Sequence, residues 1–191
     1  MKCDIILAGV GGQGILTIAA TIGLAAVEEN LFLKQAEVHG MSQRGGDVQS
    51  HLRLSDKEIY SDLIPHGRAD LIISVEPMEA LRYLPWLSSG GWVVTSSVPY
   101  VNIPDYPYPA EILTELSKTG NTIVLDADAI AKDLGSSRSG NMVILGAAST
   151  FLPVSYTTLE NAVRKMFSRK GDKVVGLNLK ALSAGRASAG R

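Results

Sequence analysis

Gly9-Val-Gly-Gly-Gln-Gly14 stands between a short apolar run and a long helical one, and no other feature constrains this chain as much. The run before it, Asp4-Ile-Ile-Leu-Ala8, shows no polar alternation, so it reads as a strand buried on both faces, as in a parallel sheet. The run after it, Ile15 to Glu29, carries Leu16, Ala19, Ala20, Gly23, Leu24 and Val27 at helical spacing. Strand, glycine turn and helix open a βα unit. Gly9, Gly11 and Gly14 have the spacing of a phosphate-binding turn, with Gly12 and Gln13 inside it. Glycine permits close backbone approach, and the helix start offers free N–H groups to an anion. Glu37 lies 23 residues beyond Gly14, where a ribose-binding acid would fall. A nicotinamide or flavin nucleotide is therefore one reading. The other is that the glycines only turn the strand into a tightly packed helix. The first reading finds no hydride-transfer acid or base, and little chain is left for a separate substrate domain.

Further strands and helices alternate along the chain. Leu31 to Ala36 reads as a second strand ending at Glu37, and Val48 to Leu54 alternates as a strand with one wet face does. Ser55 to Lys57 is a turn, with Glu58 to Tyr60 returning as a short partner strand. Buried strands follow at Asp70–Val75 and Trp92–Thr95, and another at Thr122–Asp126. Pro77 suits a helix start, and that helix covers Met78 to Leu84. Val98 to Pro109 holds four prolines and reads as an extended connector. Helices are expected over Ala110–Lys118, over Asp128–Leu134 with Asp128 as its cap, and over Asn141–Phe151. The last is apolar nearly all round and so should be buried. Ser155 or Thr157 caps a last amphipathic helix reaching Phe167. The sum is an α/β, Rossmann-like, doubly wound, mostly parallel sheet with an antiparallel edge insertion.

The 191 residues suit one domain, placed at 1–185, with 186–191 expected as a disordered basic tail. Residues 164 to 191 carry a net charge of +7 against −8 for the rest, which is either a solvated face or a docking segment for an acidic partner. Within it, Val174 to Leu182 is too apolar to hang free and must pack on this domain or another chain. The overall charge of −1 gives no drive toward nucleic acid or anionic lipid. No apolar stretch approaches membrane-spanning length, and the default compartment is the cytoplasm. The single cysteine, Cys3, cannot ligate an iron–sulfur cluster or build a cysteine-based zinc site, and the three histidines are scattered. No metal is expected on this chain, so any redox centre must sit elsewhere.

Three more features carry candidate chemistry. His39-Gly-Met-Ser-Gln-Arg-Gly-Gly46 brings His39, Ser42, Arg44, Gly45 and Gly46 into one polar loop, where backbone donors and a guanidinium can meet an anion. The alternative is a turn whose polar groups satisfy each other. Glu76 follows the Asp70 strand at the carboxyl end of the sheet, where α/β ligands bind, while Glu79 suits the first helical turn. Asn141 follows Gly140 and would cap the buried helix. Missing are the GxxxxGK[ST] phosphate loop, the GxSxG elbow, HExxH, and the Gly-Asp-Gly that opens a thiamine-diphosphate motif.

Gly9–Gly14, Glu37-Val-His-Gly-Met-Ser-Gln-Arg-Gly-Gly46, Glu76-Pro-Met-Glu-Ala80 and Asn141-Met-Val-Ile-Leu-Gly146, taken in order, resemble the gamma-type domain of the 2-oxoacid:ferredoxin oxidoreductases. The resemblance runs from about residue 3 to residue 185, and its aryl-pyruvate branch is the close match. It implies oxidative decarboxylation of indolepyruvate or another aryl-pyruvate with coenzyme A as co-substrate, giving an aryl-acetyl-CoA, CO2 and reduced ferredoxin. It also implies a large cysteine-rich alpha subunit that holds thiamine diphosphate, Mg and the iron–sulfur clusters, with ferredoxin met through the complex. This chain would bind no cofactor alone and supply no proton-transfer residue. Gln13, Arg44 and Glu76 would line the subunit interface or the approach of substrate and coenzyme A, with Arg44 foremost for an anionic group. Branched-chain 2-oxoacids and pyruvate stay open as substrates. Outside the resemblance, a free-standing nucleotide-binding enzyme or a regulatory module also stays open.

Overall fold

The computed structural model describes residues 1–39 and 45–190. Six strands form one sheet: β1 (Lys2–Val10), β2 (Phe32–His39), β3 (Asp47–Ser55), β4 (Ala69–Ser74), β5 (Leu87–Ser96) and β6 (Thr122–Leu125). Their order is β2-β3-β1-β4-β5-β6. β1 pairs in parallel with β4, β4 with β5, and β5 with β6. Among the described strands β3 alone is antiparallel, in register from Lys2↔Ser55 to Val10↔Asp47 against β1 and from Phe32↔Ser55 to His39↔Val48 against β2. The antiparallel element anticipated from the alternation of Val48 to Leu54 is thus wedged between two parallel strands, and β2 forms the edge.

Among the described residues seven α-helices cover the sheet: α1 (Ile15–Glu28), α2 (Pro77–Arg82), α3 (Pro109–Ser117), α4 (Ala127–Asp133), α5 (Gly140–Ala148), α6 (Tyr156–Phe167) and α7 (Asp172–Ser188). One face of the sheet carries Ile5, Leu7, Leu52, Leu71, Ile73 and Val94 and packs against α1, α4, α5, α6 and α7. The other carries Ile6, Ala8, Ile72 and Val93 and packs against Ala80 of α2, Tyr83 at its end, and Ile112 and Leu116 of α3. Strands β1 and β4 are apolar at successive positions because both faces are covered. Burying each such side chain contributes roughly 2 kcal/mol.

Several local expectations are corrected. Glu58 to Tyr60 forms no strand; the chain there is irregular and held by Arg53, whose Nη1 donates to the carbonyls of Ser61 and Leu63. α4 is capped by Asp126, whose Oδ1 accepts from the Ala129 N–H, and not by Asp128. α6 is not the last helix. Val174 to Leu182 belongs to α7, which lies on α5 and gives that all-apolar helix its second wall. α7 runs on to Ser188, so residues 186–188 of the expected disordered tail are helical. Arg186 is held there by Ser149 Oγ at 3.0 Å and by the Tyr156 ring, 4.5 Å from its guanidinium carbon to the ring centre. α1 also turns a different side inward. Ile15, Ile18, Ala19, Ile22, Ala25 and Ala26 face the core, while Leu16, Ala20, Leu24 and Val27 face outward.

Candidate functional site

In an open α/β sheet the carboxyl ends of the strands expose unpaired backbone, and a crevice forms where the winding reverses. Here the chain passes from β1 through α1 to β2 on one side and continues to β4, β5 and β6 on the other. A cleft of about 470 Å³ opens at that place. Gly12 and Gln13 form one wall, Val98 to Tyr100 another, and Asp128, Ser137, Arg138, Gly140 and Asn141 close it from the side of α4 and α5.

The glycine turn is fixed from three directions. Gln13 Oε1 accepts from the Val10 N–H at 2.8 Å and so closes the turn. Gly11 N–H donates to the Gly46 carbonyl at 2.8 Å, tying the turn to the chain that enters β3. Asn141 Nδ2 donates to the Gly14 carbonyl at 3.2 Å. Gly14 caps α1 with φ +87°, a left-handed conformation that costs an L side chain strain. Asn141 therefore does not cap α5. Ser139 holds the N-cap position without a side-chain capping bond, and Asn141 gives its amide nitrogen to the turn instead.

Glu76 does not face the cleft. It is fully buried, and its carboxylate caps α2 by accepting from the Glu79 N–H at 2.8 Å. Its Oε1 also accepts from the Tyr100 N–H at 3.2 Å and from the Tyr106 hydroxyl. Burial and that carboxylate push the Tyr106 hydroxyl above its usual range. The sequence at Glu76 thus builds the cleft indirectly, by fastening the proline-rich connector that forms its wall. Asn102 Nδ2 fastens the same connector to the Gly45 carbonyl at 2.6 Å.

Of the residues singled out from sequence, Gly9, Gly11, Gly12, Gln13, Gly14, Gly45, Gly46 and Asn141 come together around the turn. A side chain at Gly9 would meet Val75 and Ile15, so this glycine serves packing. Glu37 does not join them. It is exposed on β2, beyond the full width of β3 from the turn, which removes it from the position of a ribose-binding acid. The side chain of His39, and Ser42 and Arg44, lie outside the described residues. Sequence reasoning missed Ser96, Tyr100, Ser137 and Arg138 as lining residues, and read Asp128 only as a cap. The available signal was Ser136-Ser-Arg-Ser-Gly140, a polar turn with a cation just ahead of a buried helix.

The cleft offers hydroxyls, backbone and one charge of each sign, which suits binding and orienting a polar group. Its described lining holds no nucleophile paired with a base. Cys3 is buried at the start of β1, where burial, Asp70 and Asp4 push its thiol up to about 12. With that one cysteine the chain does not fit an iron–sulfur cluster. Among the described residues no three His, Cys, Asp or Glu side chains are grouped to hold a metal ion. Among them, too, no helix is long and apolar enough to cross a membrane.

A mostly parallel sheet covered on both faces, with its glycine turn locked to α5 and a cleft beside that turn, defines a Rossmann-like domain. The family model of pyruvate ferredoxin/flavodoxin oxidoreductases matches residues 4–188, and the chain belongs to that family. It is 39% identical to the indolepyruvate oxidoreductase subunit IorB of Archaeoglobus fulgidus, covering 97% of this chain and 94% of that protein. Its fold matches the gamma subunit of a keto/oxoacid ferredoxin oxidoreductase from Geobacter sulfurreducens, with TM-score 0.69, 26% identity and 98% of each chain covered. It also matches a 2-oxoglutarate:ferredoxin oxidoreductase from Magnetococcus marinus solved with 2-oxoglutarate, coenzyme A and succinyl-CoA bound. There the TM-score is 0.77 at 24% identity, covering 99% of this chain and 31% of that one. The chain thus spans about a third of the Magnetococcus chain and nearly all of the Archaeoglobus subunit.

Proposed function

We propose that this chain is the small subunit of an indolepyruvate:ferredoxin oxidoreductase, working in the cytoplasm with a large cysteine-rich subunit. The observation that carries the reading is the 39% identity to an indolepyruvate oxidoreductase subunit over nearly the whole of both chains. The reaction removes CO2 from the 2-oxoacid, joins the remaining acyl carbon to the sulfur of coenzyme A, and passes two electrons to ferredoxin. Thiamine diphosphate with Mg on the companion would supply the carbanion chemistry, and iron–sulfur clusters there would carry the electrons. This chain holds neither. Its part is to bind, orient and exclude water: the fixed glycine turn, Ser137 and Arg138 present donors at the cleft, and the Glu76-anchored connector shapes the opening. Arg44 and Ser42, in the segment after β2, would add donors for an anionic group of the substrate or of coenzyme A.

The test is co-expression with a large subunit and assay of coenzyme A-dependent reduction of a viologen dye. The expected result is turnover with indolepyruvate exceeding that with pyruvate, branched-chain 2-oxoacids or 2-oxoglutarate, and no turnover by this chain alone. Preference for a branched-chain acid would overturn the substrate assignment. Activity of the lone chain would overturn the subunit role.

A further inference from the structure

The connector after β5 lines the cleft with Val98, Pro99 and Tyr100 and then runs outward, where Val101 and Ile103 are exposed. Its prolines have no N–H to give, so side chains do much of the work of holding it. Asn102 lies in this outward stretch, and its Nδ2 donates to the Gly45 carbonyl at 2.6 Å. Gly45 and Gly46 are tied in turn to the opposite wall. The Gly45 N–H donates to the Gly11 carbonyl at 3.5 Å, and the Gly46 carbonyl accepts from the Gly11 N–H at 2.8 Å. Gly11 directly precedes Gly12, which lines the cleft. These three bonds make a bridge from the connector, through Gly45 and Gly46, to the glycine turn. Gly45 has φ +79° and open space where a Cβ would stand. It is therefore glycine for its backbone and not for packing, and that backbone turns its N–H to one wall and its carbonyl to the other.

We infer that Asn102 is a positioning residue: through Gly45 it sets how far the connector wall stands from the glycine turn, and so the width of the cleft; the inference rests on the subunit reading above. Two features set this bond apart from an ordinary structural one. Asn102 is exposed and Gly45 half-buried, so little burial depends on the bond and its share of the global stability is small. It also acts where the buried anchor does not reach. Glu76 fastens Tyr100 and Tyr106 to the start of α2, on either side of Asn102. Those two points fix the connector to the body of the domain. The bond from Asn102 fixes the arch between them to the other wall. A bond that adds little to folding and spans two walls of one cleft holds a distance.

The experiment pairs Asn102→Asp, which keeps the shape and loses the donor, with Gly45→Ala and Gly45→Asn. Alanine strains the left-handed backbone at residue 45, and asparagine tolerates it. Two readouts are taken: steady-state kinetics of the complex with the large subunit, and amide hydrogen exchange at Gly11 in this chain, followed residue by residue by NMR. Asn102→Asp should raise the KM for coenzyme A or for the 2-oxoacid by about fivefold or more, with kcat within about twofold of wild type. Exchange at Gly11, on the far wall, should quicken by about fivefold or more while the thermal midpoint stays near wild type. Gly45→Ala should act in the same direction, and Gly45→Asn should recover most of the loss. Unchanged KM values or unchanged Gly11 exchange in a folded variant would overturn the inference while leaving the subunit reading intact. A fall in kcat that only follows a lower thermal midpoint would overturn it too, by making the bond a structural one. A wild-type complex that turns over no 2-oxoacid would remove both.

Discussion

Asn141 and Gly14, 127 residues apart, meet at the start of two helices: the amide nitrogen of one donates to the carbonyl of the other at 3.2 Å. A Cβ on residue 14 would lie 2.5 Å from that same nitrogen. Gly14→Ala therefore meets two obstacles, the left-handed backbone at about 1–2 kcal/mol and the Asn141 side chain. Asn141→Ala removes the second. The double variant should be less destabilised than the sum of the singles, and urea denaturation of all four proteins measures the coupling.

Glu76→Ala leaves the Glu79 N–H, the Tyr100 N–H and the Tyr106 hydroxyl without their acceptor. Loss of the cap and of the connector's anchor should cost ~3 kcal/mol. In the assembled complex the expected signature, on the proposed binding role of the cleft, is a raised KM with a modest change in kcat, because the connector forms the cleft wall.

Gly185 lies so close to α5 that a methyl group there would overlap the Val143 carbonyl, and one at Gly146 would overlap that of Leu182. Since backbone can yield only by moving a whole helix, Gly185→Ala should cost ~3 kcal/mol or more. A fall in the thermal midpoint measures this. Gly176→Ala, on the same helix with open space at its Cβ, should be neutral or stabilising.

His51 is buried and accepts the Ile64 N–H on Nδ1 at 2.9 Å, so the neutral ring carries its proton on Nε2. Burial holds its pKa below the usual value, with Asp62 opposing and Arg53 assisting. The unfolded chain then binds more protons than the folded one below about pH 6.5, so stability falls as pH drops through that value. His51→Gln should flatten the decline in urea midpoint between about pH 7 and pH 5.5.

Patterns set by burial were legible in the sequence. Asp4 to Ala8 and Asp70 to Val75 are apolar because both faces are covered, and they fall in β1 and in and just past β4. The alternation of Val48 to Leu54 named the antiparallel strand, but no local pattern says that β3 sits between β1 and β2, because strand order is decided by long-range pairing. The cap at Asp126 and the N-cap position at Ser139 were missed by two residues each, since neighbouring polar side chains look equally able to serve. The glycine turn and Asn141 were visible as single features. Their hydrogen bond was not, as it joins elements far apart in the chain. α1 misled for a related reason: an uncharged helix has no polar face to show which side turns inward.

The seam between α5 and α7 has a bearing on biosynthesis. Ala148 leaves the ribosome well ahead of Leu182 and Gly185, so a nascent chain carries a wholly greasy helix with nothing yet behind it. One side of the cleft is therefore unsupported until translation is nearly through α7, and a chaperone that shields exposed apolar segments has its clearest target in that interval.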